Sequence, residues 1–181
     1  EKFILSPESL ENAISPSTKW VLMNSPNNPT GAVYNWGELS KLADVIRRYE
    51  KINVMCDDIY EKLVYDDSKF CTMAEVSPDL ADRILTVNGV SKAYAMTGWR
   101  IGYAAGPKCL INAMGKLQGQ STTNASSLGQ SAALAALQGN QDYLLDWISI
   151  YQNRRNLVSE SLGDIFGYSI RNPQGAFYHF I

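Results

Sequence analysis

The feature that most constrains the fold of this chain is a series of four short apolar runs separated by helical or turn-rich stretches. The runs cover residues 20–24, 53–57, 84–88 and 101–106. Apolar runs of this length, bounded by turn residues, are typical of strands that are covered on both faces. Because helical patterns lie between them, the sequence predicts an α/β fold with a largely parallel sheet that is buried on both faces.

Helical patterns occupy most of the remaining sequence. They cover residues 36–49, 108–118, 126–138 and 141–162, and the last of these is long enough to bridge two domains. After Gly167, the stretch YSIRNPQGAFYHFI predicts short strands. We therefore assign residues 1–140 to part of a large domain, 141–163 to a long interdomain helix, and 164–181 to the beginning of a small C-terminal α/β domain.

Composition narrows the classes of partner. The chain has 16 Lys and Arg against 18 Asp and Glu, so its formal net charge is −2, and no basic block is present. This balance argues against a nucleic-acid or membrane partner and favours a small-molecule substrate. The three cysteines, Cys56, Cys71 and Cys109, have no metal-ligand spacing, and the sequence starts without the pattern of a signal peptide. We expect a cytoplasmic protein without a metal site.

Polar residues follow three successive predicted strands. Asn28 comes after the first strand, Asp57 and Tyr60 after the second, and Lys92 after the third. Ligands bind at the carboxyl ends of strands in open α/β sheets, so these side chains are candidates for one site. Taken singly, each has a simpler explanation, since asparagine before proline is a common turn former and an isolated lysine is usually a solvated surface charge.

Three motifs make the combination specific. SPNNPTG, CDDIY and SKAYAMTGWRIGY occur in this order, and NPQGAFYHF follows near the end of the sequence. In these residues the chain resembles the class I, fold-type I aminotransferases of the aspartate and aromatic type. The resemblance implies a three-layer α/β/α sandwich, which is the major domain of pyridoxal 5'-phosphate (PLP) dependent transferases. It also implies PLP as cofactor, an amino acid and a 2-oxo acid as substrates, and a homodimer in the full-length parent.

The resemblance gives Lys92 and Asp57 the central roles. Lys92, in SKAY, would form the Schiff base with the aldehyde of PLP and would later move a proton to and from the substrate. Asp57 would face the pyridine nitrogen, because an ionised carboxylate favours the protonated ring. The family pattern puts the first acidic residue of CDDIY in this role, so Asp57 is preferred to Asp58.

Four further residues complete the predicted cofactor site. Tyr60 and Asn28 would hydrogen bond to the phenolic oxygen of the cofactor, and Arg100 would bind its phosphate with a planar guanidinium. Ser91 would add a hydroxyl to the phosphate site. Many relatives also carry serine three positions before the lysine, where this chain has Gly89, so the phosphate site departs from the family pattern.

Three functions fit these residues. The first is transfer of an amino group from aspartate or an aromatic amino acid to a 2-oxo acid such as 2-oxoglutarate. A PLP-dependent beta-lyase of the same fold is the second, because the same lysine, aspartate and tyrosine serve both reactions. The third is a non-catalytic fragment with a structural or interaction role. NAD and NTP functions have no motif support, since the sequence contains neither GxGxxG after a strand nor GxxxxGK[ST].

The resemblance also predicts how residues 1–181 behave in isolation. Full-length relatives carry a ring-stacking aromatic residue, part of the phosphate site and a carboxylate-binding arginine in segments that this sequence does not contain. We expect the isolated 181 residues to be inactive as a transaminase and the full-length parent to be active, because an incomplete site orients its substrate poorly. A steady-state transamination assay checks this, and turnover by the isolated segment at the parent's rate would contradict it.

Overall fold

The computed structural model describes residues 2–167 and 170–181. In chain order, its elements are α1 (Pro7–Ala13), β1 (Trp20–Asn24), α2 (Trp36–Arg47), β2 (Asn53–Asp57), α3 (Met73–Val76), β3 (Ile84–Gly89), β4 (Gly102–Ala105), α4 (Lys108–Gly119), α5 (Ser127–Gln138) and α6 (Asp142–Phe166). Two short 3-10 helices lie at Pro78–Arg83 and Thr97–Trp99. The predicted strands and helices are confirmed to within a few residues, whereas α1, α3 and both 3-10 helices were not predicted.

The sheet has four strands in the order β1, β2, β3, β4. The first three strands are parallel, and β4 runs antiparallel to β3, with Gly89 opposite Gly102. The α/β class and the mostly parallel sheet are therefore confirmed. The reversal at β4 follows from its connection, because the chain between β3 and β4 contains only one short 3-10 helix and no crossover helix of the kind that parallel strands require.

One face of the sheet packs on α2. The helix begins with a capping box, in which the Asn35 side chain accepts from the Glu38 amide and the Glu38 carboxylate accepts from the Asn35 amide. Its apolar side chains recur at helical spacing and are buried against this face of the strands. The largest hydrophobic core of the described residues is formed here, and it includes Leu39, Leu42, Ala43, Val45, Ile46, Val54, Cys56 and Ile84.

The opposite face is only partly covered. Side chains of β1 alternate between the two faces, so Trp20 and Leu22 point away from the α2 core. Leu22 is 68% exposed and Trp20 is 37% exposed. The expectation of a sheet buried on both faces is thus met on the α2 side, and the described residues leave part of the second face open.

The end of the chain does not form the short strands that the sequence predicts for it. Residues 168 and 169 lie outside the described residues, and in 170–181 the only sheet-like pairing is a single bridge between Val64 and Gly175. Pro173 has no amide proton to donate, and Ala176 has a φ of 56°, which takes the backbone out of the extended region. Residues 170–181 therefore contact the rest of the molecule through isolated contacts and not through a paired strand.

The longest helix, α6, has 25 residues. Among residues 2–167 and 170–181, no helix has both the length and the apolar sequence that crossing a membrane requires. A buried arginine on α6 joins three separate parts of the chain. Arg155 donates to both carboxylate oxygens of Asp66, at 2.6 and 3.0 Å, and to the carbonyl oxygen of Pro173 at 3.1 Å.

The pair between Arg155 and Asp66 gives a test of how α6 is held. Hydrogen bonding to Arg155 lowers the pKa of the Asp66 carboxyl below its usual range. The ionised carboxylate therefore stabilises the fold above about pH 4, and this contribution is lost as the pH falls through the lowered pKa. Because Asp66 is exposed, solvent screens the pair, and we expect Asp66→Asn to lower the free energy of unfolding at pH 7 by about 1–2 kcal/mol.

Urea unfolding at pH 7 and at pH 3 measures this difference, which should shrink at the lower pH. Asp67→Asn is the matched control, since its exposed carboxylate forms no ion pair among the residues that the structure describes. Equal stability of the two variants at pH 7 would show that the ion pair does not hold α6.

Candidate active site

The carboxyl ends of β1 and β2 are joined by an asparagine that the sequence analysis did not single out. Asn24, the last residue of β1, donates from Nδ2 to the carbonyl oxygen of Asp57 at 2.9 Å. Its Oδ1 accepts from the amide of Asn28 at 2.7 Å. One side chain therefore fixes the end of β2 and the start of the next loop together. A polar residue that ends an otherwise apolar strand was the available signal.

The loop after β1 is built for close backbone contact. Asn27 accepts from the amide and the hydroxyl of Thr30, at 3.1 and 2.7 Å, which closes a tight turn. Gly31 then adopts a φ of 66°, and a Cβ atom there would lie 2.3 Å from the Cβ of Pro173. Only glycine satisfies both the conformation and the space at this position.

Residues 173–176 are held against this loop from the other end of the chain. The amides of Gln174 and Gly175 both donate to the carbonyl oxygen of Gly31 at 2.9 Å. The amide of Ala176 donates to Leu63 at 2.9 Å, in the loop after β2. A Cβ atom at Gly175 would lie 2.7 Å from Pro26, so glycine is again required by space. The two motifs NNPTG and NPQGAFYHF therefore meet through their glycines.

This contact brings two aromatic residues to the lysine. The Nζ atom of Lys92 lies 5.9 Å from the ring centroids of both Tyr60 and Phe177. The ring of Phe177 packs edge-on against Tyr60, at 5.4 Å, and stacks on Tyr151 of α6 at 5.7 Å. The hydroxyls of Tyr60 and Tyr178 are 2.6 Å apart. Lys92 forms no ion pair with any carboxylate of the described residues. Its amine instead faces the rings of Tyr60 and Phe177, which together we call the aromatic wall.

Tyr60 lies at the centre of this group. Burial is the main cause that raises the pKa of its phenol, and the negative charge of Asp57 acts in the same direction. The side chain of Asn28 acts against them and lowers the pKa. Asn28 and Asp57 are therefore close enough to Tyr60 to act on its phenol, and Lys92 lies 5.9 Å from the same ring. A neutral Tyr60 can donate a hydrogen bond to an anionic oxygen.

The two acidic residues of CDDIY point in different directions. Asp57 is half-buried at the edge of the sheet, where its Oδ1 accepts from the amide of Ile59 at 3.3 Å. Asp58 is only 5% exposed and lies toward the interior. Burial raises the pKa of Asp58 to about 7, and the nearby Thr72 hydroxyl offsets this only in part. Of the two residues, Asp57 is the one whose carboxylate is available to a ligand beside Tyr60.

The predicted phosphate-binding residues are not brought into contact with this group. Arg100 is exposed, adopts a φ of 57°, and donates from Nη1 to the carbonyl oxygen of Thr97 at 2.9 Å. Ser91 is half-buried directly before Lys92, and its hydroxyl forms no hydrogen bond with any of the described residues. The role of both residues stays a prediction. No cluster of three or more metal-ligating side chains occurs among the described residues.

Gly89 is explained by the antiparallel strand. A Cβ atom at this position would lie 2.8 Å from the carbonyl oxygen of Ile101 and 3.1 Å from the Cα of Gly102. A serine side chain therefore has no room here unless β4 moves away from β3. The departure from the family pattern matches the close approach of these two strands in this chain.

The geometry fits PLP as a ligand. An amine without an ionic partner can form a covalent bond with an aldehyde, and the neighbouring rings provide apolar surface for a heteroaromatic ring. Asp57 offers a carboxylate for a protonated ring nitrogen, and Tyr60 and Asn28 offer donors for a phenolic oxygen. The sequence analysis missed Phe177 and Tyr178, although both lie in NPQGAFYHF, because nothing in their spacing shows that residue 178 contacts residue 60.

Comparison with known proteins is consistent with this geometry. The family model described as aminotransferase class I and II matches residues 1–181. An aspartate/prephenate aminotransferase of Cereibacter sphaeroides is 54% identical over 97% of this chain and 44% of its own length. A probable aspartate/prephenate aminotransferase of Rickettsia prowazekii is 51% identical over 99% of this chain and 45% of its own length.

A solved structure gives the same result for the fold. The crystal structure of the aspartate aminotransferase from Rhizobium meliloti superposes with a TM-score of 0.94 and 50% identity, covering 96% of this chain and 44% of that chain. This chain therefore spans less than half the length of the relatives that it matches.

The different surroundings of Asp57 and Asp58 lead to a test in stability. Since burial raises the pKa of Asp58 to about 7, the folded protein keeps a proton that the unfolded chain releases above about pH 4. The free energy of unfolding therefore falls between about pH 4 and pH 7 and is then constant. We expect Asp58→Asn to be more stable than wild type by about 1–3 kcal/mol at pH 8 and equally stable near pH 4.

Chemical denaturation across this pH range checks the prediction. Asp57→Asn is the matched control, because its half-exposed carboxylate lies outside the core and its removal is not expected to stabilise the protein. A destabilised Asp58→Asn protein at pH 8 would mean that the ionised carboxylate makes a favourable interaction in the fold.

Proposed function

The chain belongs to the class I and II aminotransferase family, and from this premise we propose that the full-length protein transfers the amino group of aspartate to a 2-oxo acid. The position of Lys92 carries this proposal, because its amine lies 5.9 Å from the ring centroids of both Tyr60 and Phe177 and has no ionic partner among the described residues. Two relatives that are named aspartate/prephenate aminotransferases support aspartate as donor and prephenate as acceptor. The alternatives to test are an aromatic amino acid as donor in place of aspartate, and 2-oxoglutarate as acceptor in place of prephenate.

Enzymes of this family depend on PLP, and the residues at the carboxyl ends of the strands suit it. When bound, the cofactor supplies an electron sink for the negative charge that remains after a substrate loses its alpha proton. We propose that the ionised carboxylate of Asp57 faces the ring nitrogen of the cofactor and favours its protonated form. Tyr60 and Asn28 donate to the phenolic oxygen, and Arg100 and Ser91 bind the phosphate.

Lys92 has two tasks in this proposal. Its amine holds the cofactor covalently between reaction cycles, and it moves a proton at the substrate's alpha carbon when the amine is free. The rings of Tyr60 and Phe177 exclude water from one side of the amine, and Phe177 is itself backed by Tyr151.

The assembly and location of the protein follow as further proposals. We infer a homodimer for the full-length protein, and the open apolar face at Trp20 and Leu22 is compatible with additional contacts outside the described residues. A cytoplasmic location is supported by Cys56, Cys71 and Cys109, which are all free thiols. We also propose that residues 1–140 belong to a large domain, 141–163 to an interdomain helix and 164–181 to the beginning of a small domain.

Replacement of Lys92 tests the proposed function. In the full-length protein, Lys92→Ala should abolish the pH-dependent absorbance band that wild type shows with PLP. It should also lower the rate of transfer from aspartate by at least about 10²-fold, because the covalent attachment and the proton carrier are both lost. Lys41→Ala is the matched control, since Lys41 is an exposed lysine on helix α2. A band that persists in Lys92→Ala would contradict the assignment.

The same assay distinguishes the reactions. Formation of oxaloacetate from aspartate, with amination of prephenate or 2-oxoglutarate, is the result that the proposal predicts. A second substrate, an amino acid that carries a leaving group on its beta carbon, tests for a beta-lyase, which would eliminate that group and release pyruvate and ammonia without exchange between keto acids. Absence of any reaction and of any absorbance band in the wild-type protein would support a non-catalytic role.

A further inference from the structure

Tyr178 makes one hydrogen bond with the site. Its hydroxyl lies 2.6 Å from that of Tyr60, and the structure gives it no other hydrogen-bond partner among the described residues. The two rings pack edge to face at 5.8 Å. The contact joins residues 118 positions apart in the sequence. A half-buried tyrosine whose only polar partner is the hydroxyl of a predicted site residue is placed to act on that residue.

We propose that Tyr178 is a positioning residue for the transfer reaction. In this proposal the hydroxyl of Tyr178 donates a hydrogen bond to the oxygen of Tyr60, so that the proton of Tyr60 points toward the space beside Lys92 and Asn28. The inference rests on the proposed function, and it adds a residue that contacts Tyr60 and is not itself assigned a contact with the cofactor.

The hydrogen-bonding capacity of a phenol supports this direction. The hydroxyl of Tyr60 has one proton to donate and can accept at its oxygen. If Tyr178 is the donor of the pair, the proton of Tyr60 remains free for an acceptor on the other side. Asn28 also acts on this phenol, and the Nζ of Lys92 lies 5.9 Å from its ring centroid. An anionic oxygen that enters this space would complete a chain of two donors.

The backbone around Tyr178 is fixed independently of the site. The amide of Ala176 donates to Leu63, the hydroxyl of Tyr65 donates to the carbonyl oxygen of Ala176, and the amide of Tyr65 donates to Gln174. These bonds hold the segment on the loop after β2, which also carries Tyr60. The separation of the two hydroxyls is thus set by two segments that are hydrogen-bonded to each other.

A packing role for Tyr178 would need only its ring, so phenylalanine separates the two explanations. Tyr178→Phe keeps the edge-to-face contact and removes the donor. Without that donor, Tyr60 donates more weakly to the phenolic oxygen of the cofactor, and the anionic form of that oxygen is less favoured. We expect the pH midpoint of the bound cofactor's absorbance titration to rise by about 0.5–1 pH unit. The value of kcat/KM should fall by about 3-fold to 10-fold.

The experiment uses the full-length protein with PLP and compares Tyr178→Phe, Tyr60→Phe, the double variant and Tyr49→Phe. Tyr49 precedes β2, at the end of the sheet away from the site, so Tyr49→Phe is the matched control and should titrate as wild type does. If Tyr178 acts through Tyr60, the double variant should have the midpoint of Tyr60→Phe. Thermal unfolding confirms that each variant is folded.

A Tyr178→Phe midpoint that equals that of wild type, or lies below it, would overturn the proposal, as would a separate effect of Tyr178 in the Tyr60→Phe background. These results differ from a failure of the proposed function. If wild type shows no absorbance band with PLP, or Lys92→Ala keeps it, the function itself is wrong. A normal band that Lys92→Ala abolishes and Tyr178→Phe leaves unchanged refutes only the role of Tyr178.

Discussion

The close backbone approach between Gly31 and Gly175 is the constraint on which the candidate site depends. A side chain at either position would collide with the opposite segment, at 2.3 Å from Pro173 or 2.7 Å from Pro26. Because both positions are glycine, two amides can donate to the same carbonyl oxygen and attach the end of the chain to the loop after β1. The aromatic wall beside Lys92 follows from this attachment, since Phe177 and Tyr178 come directly after it.

The parallel strands supply the other half of the site. Their register places the ends of β1, β2 and β3 at one edge, where Asn24 joins the first two ends by side-chain hydrogen bonds. At this edge two acidic residues that are adjacent in the sequence have carboxyl groups in different surroundings. Asp57 remains half-exposed beside Tyr60, whereas Asp58 enters the interior and its pKa rises to about 7. Alternation along an extended chain is sufficient to separate the two roles.

The long helix α6 connects with this arrangement through one buried charge. Arg155 donates to Asp66 in the loop after β2 and to Pro173 next to Gly31, so the helix, the loop and the final segment are held at one point. The cost of burying the guanidinium is offset by these hydrogen bonds. Tyr151, one turn earlier on the same helix, supports Phe177 by stacking. The position of α6 is therefore linked to the wall of the site.

The sequence by itself determined the class of fold, most of its strands and helices, and the residues Asn28, Asp57, Tyr60 and Lys92 that the structure brings close together. Apolar periodicity and local motifs carry this information because they act over a few residues. Tertiary structure decided that β4 is antiparallel, that residues 170–181 form no strand, and that Phe177 and Tyr178 reach Lys92 and Tyr60. These outcomes depend on contacts between segments that are distant in the chain, and no local pattern of residues encodes such contacts.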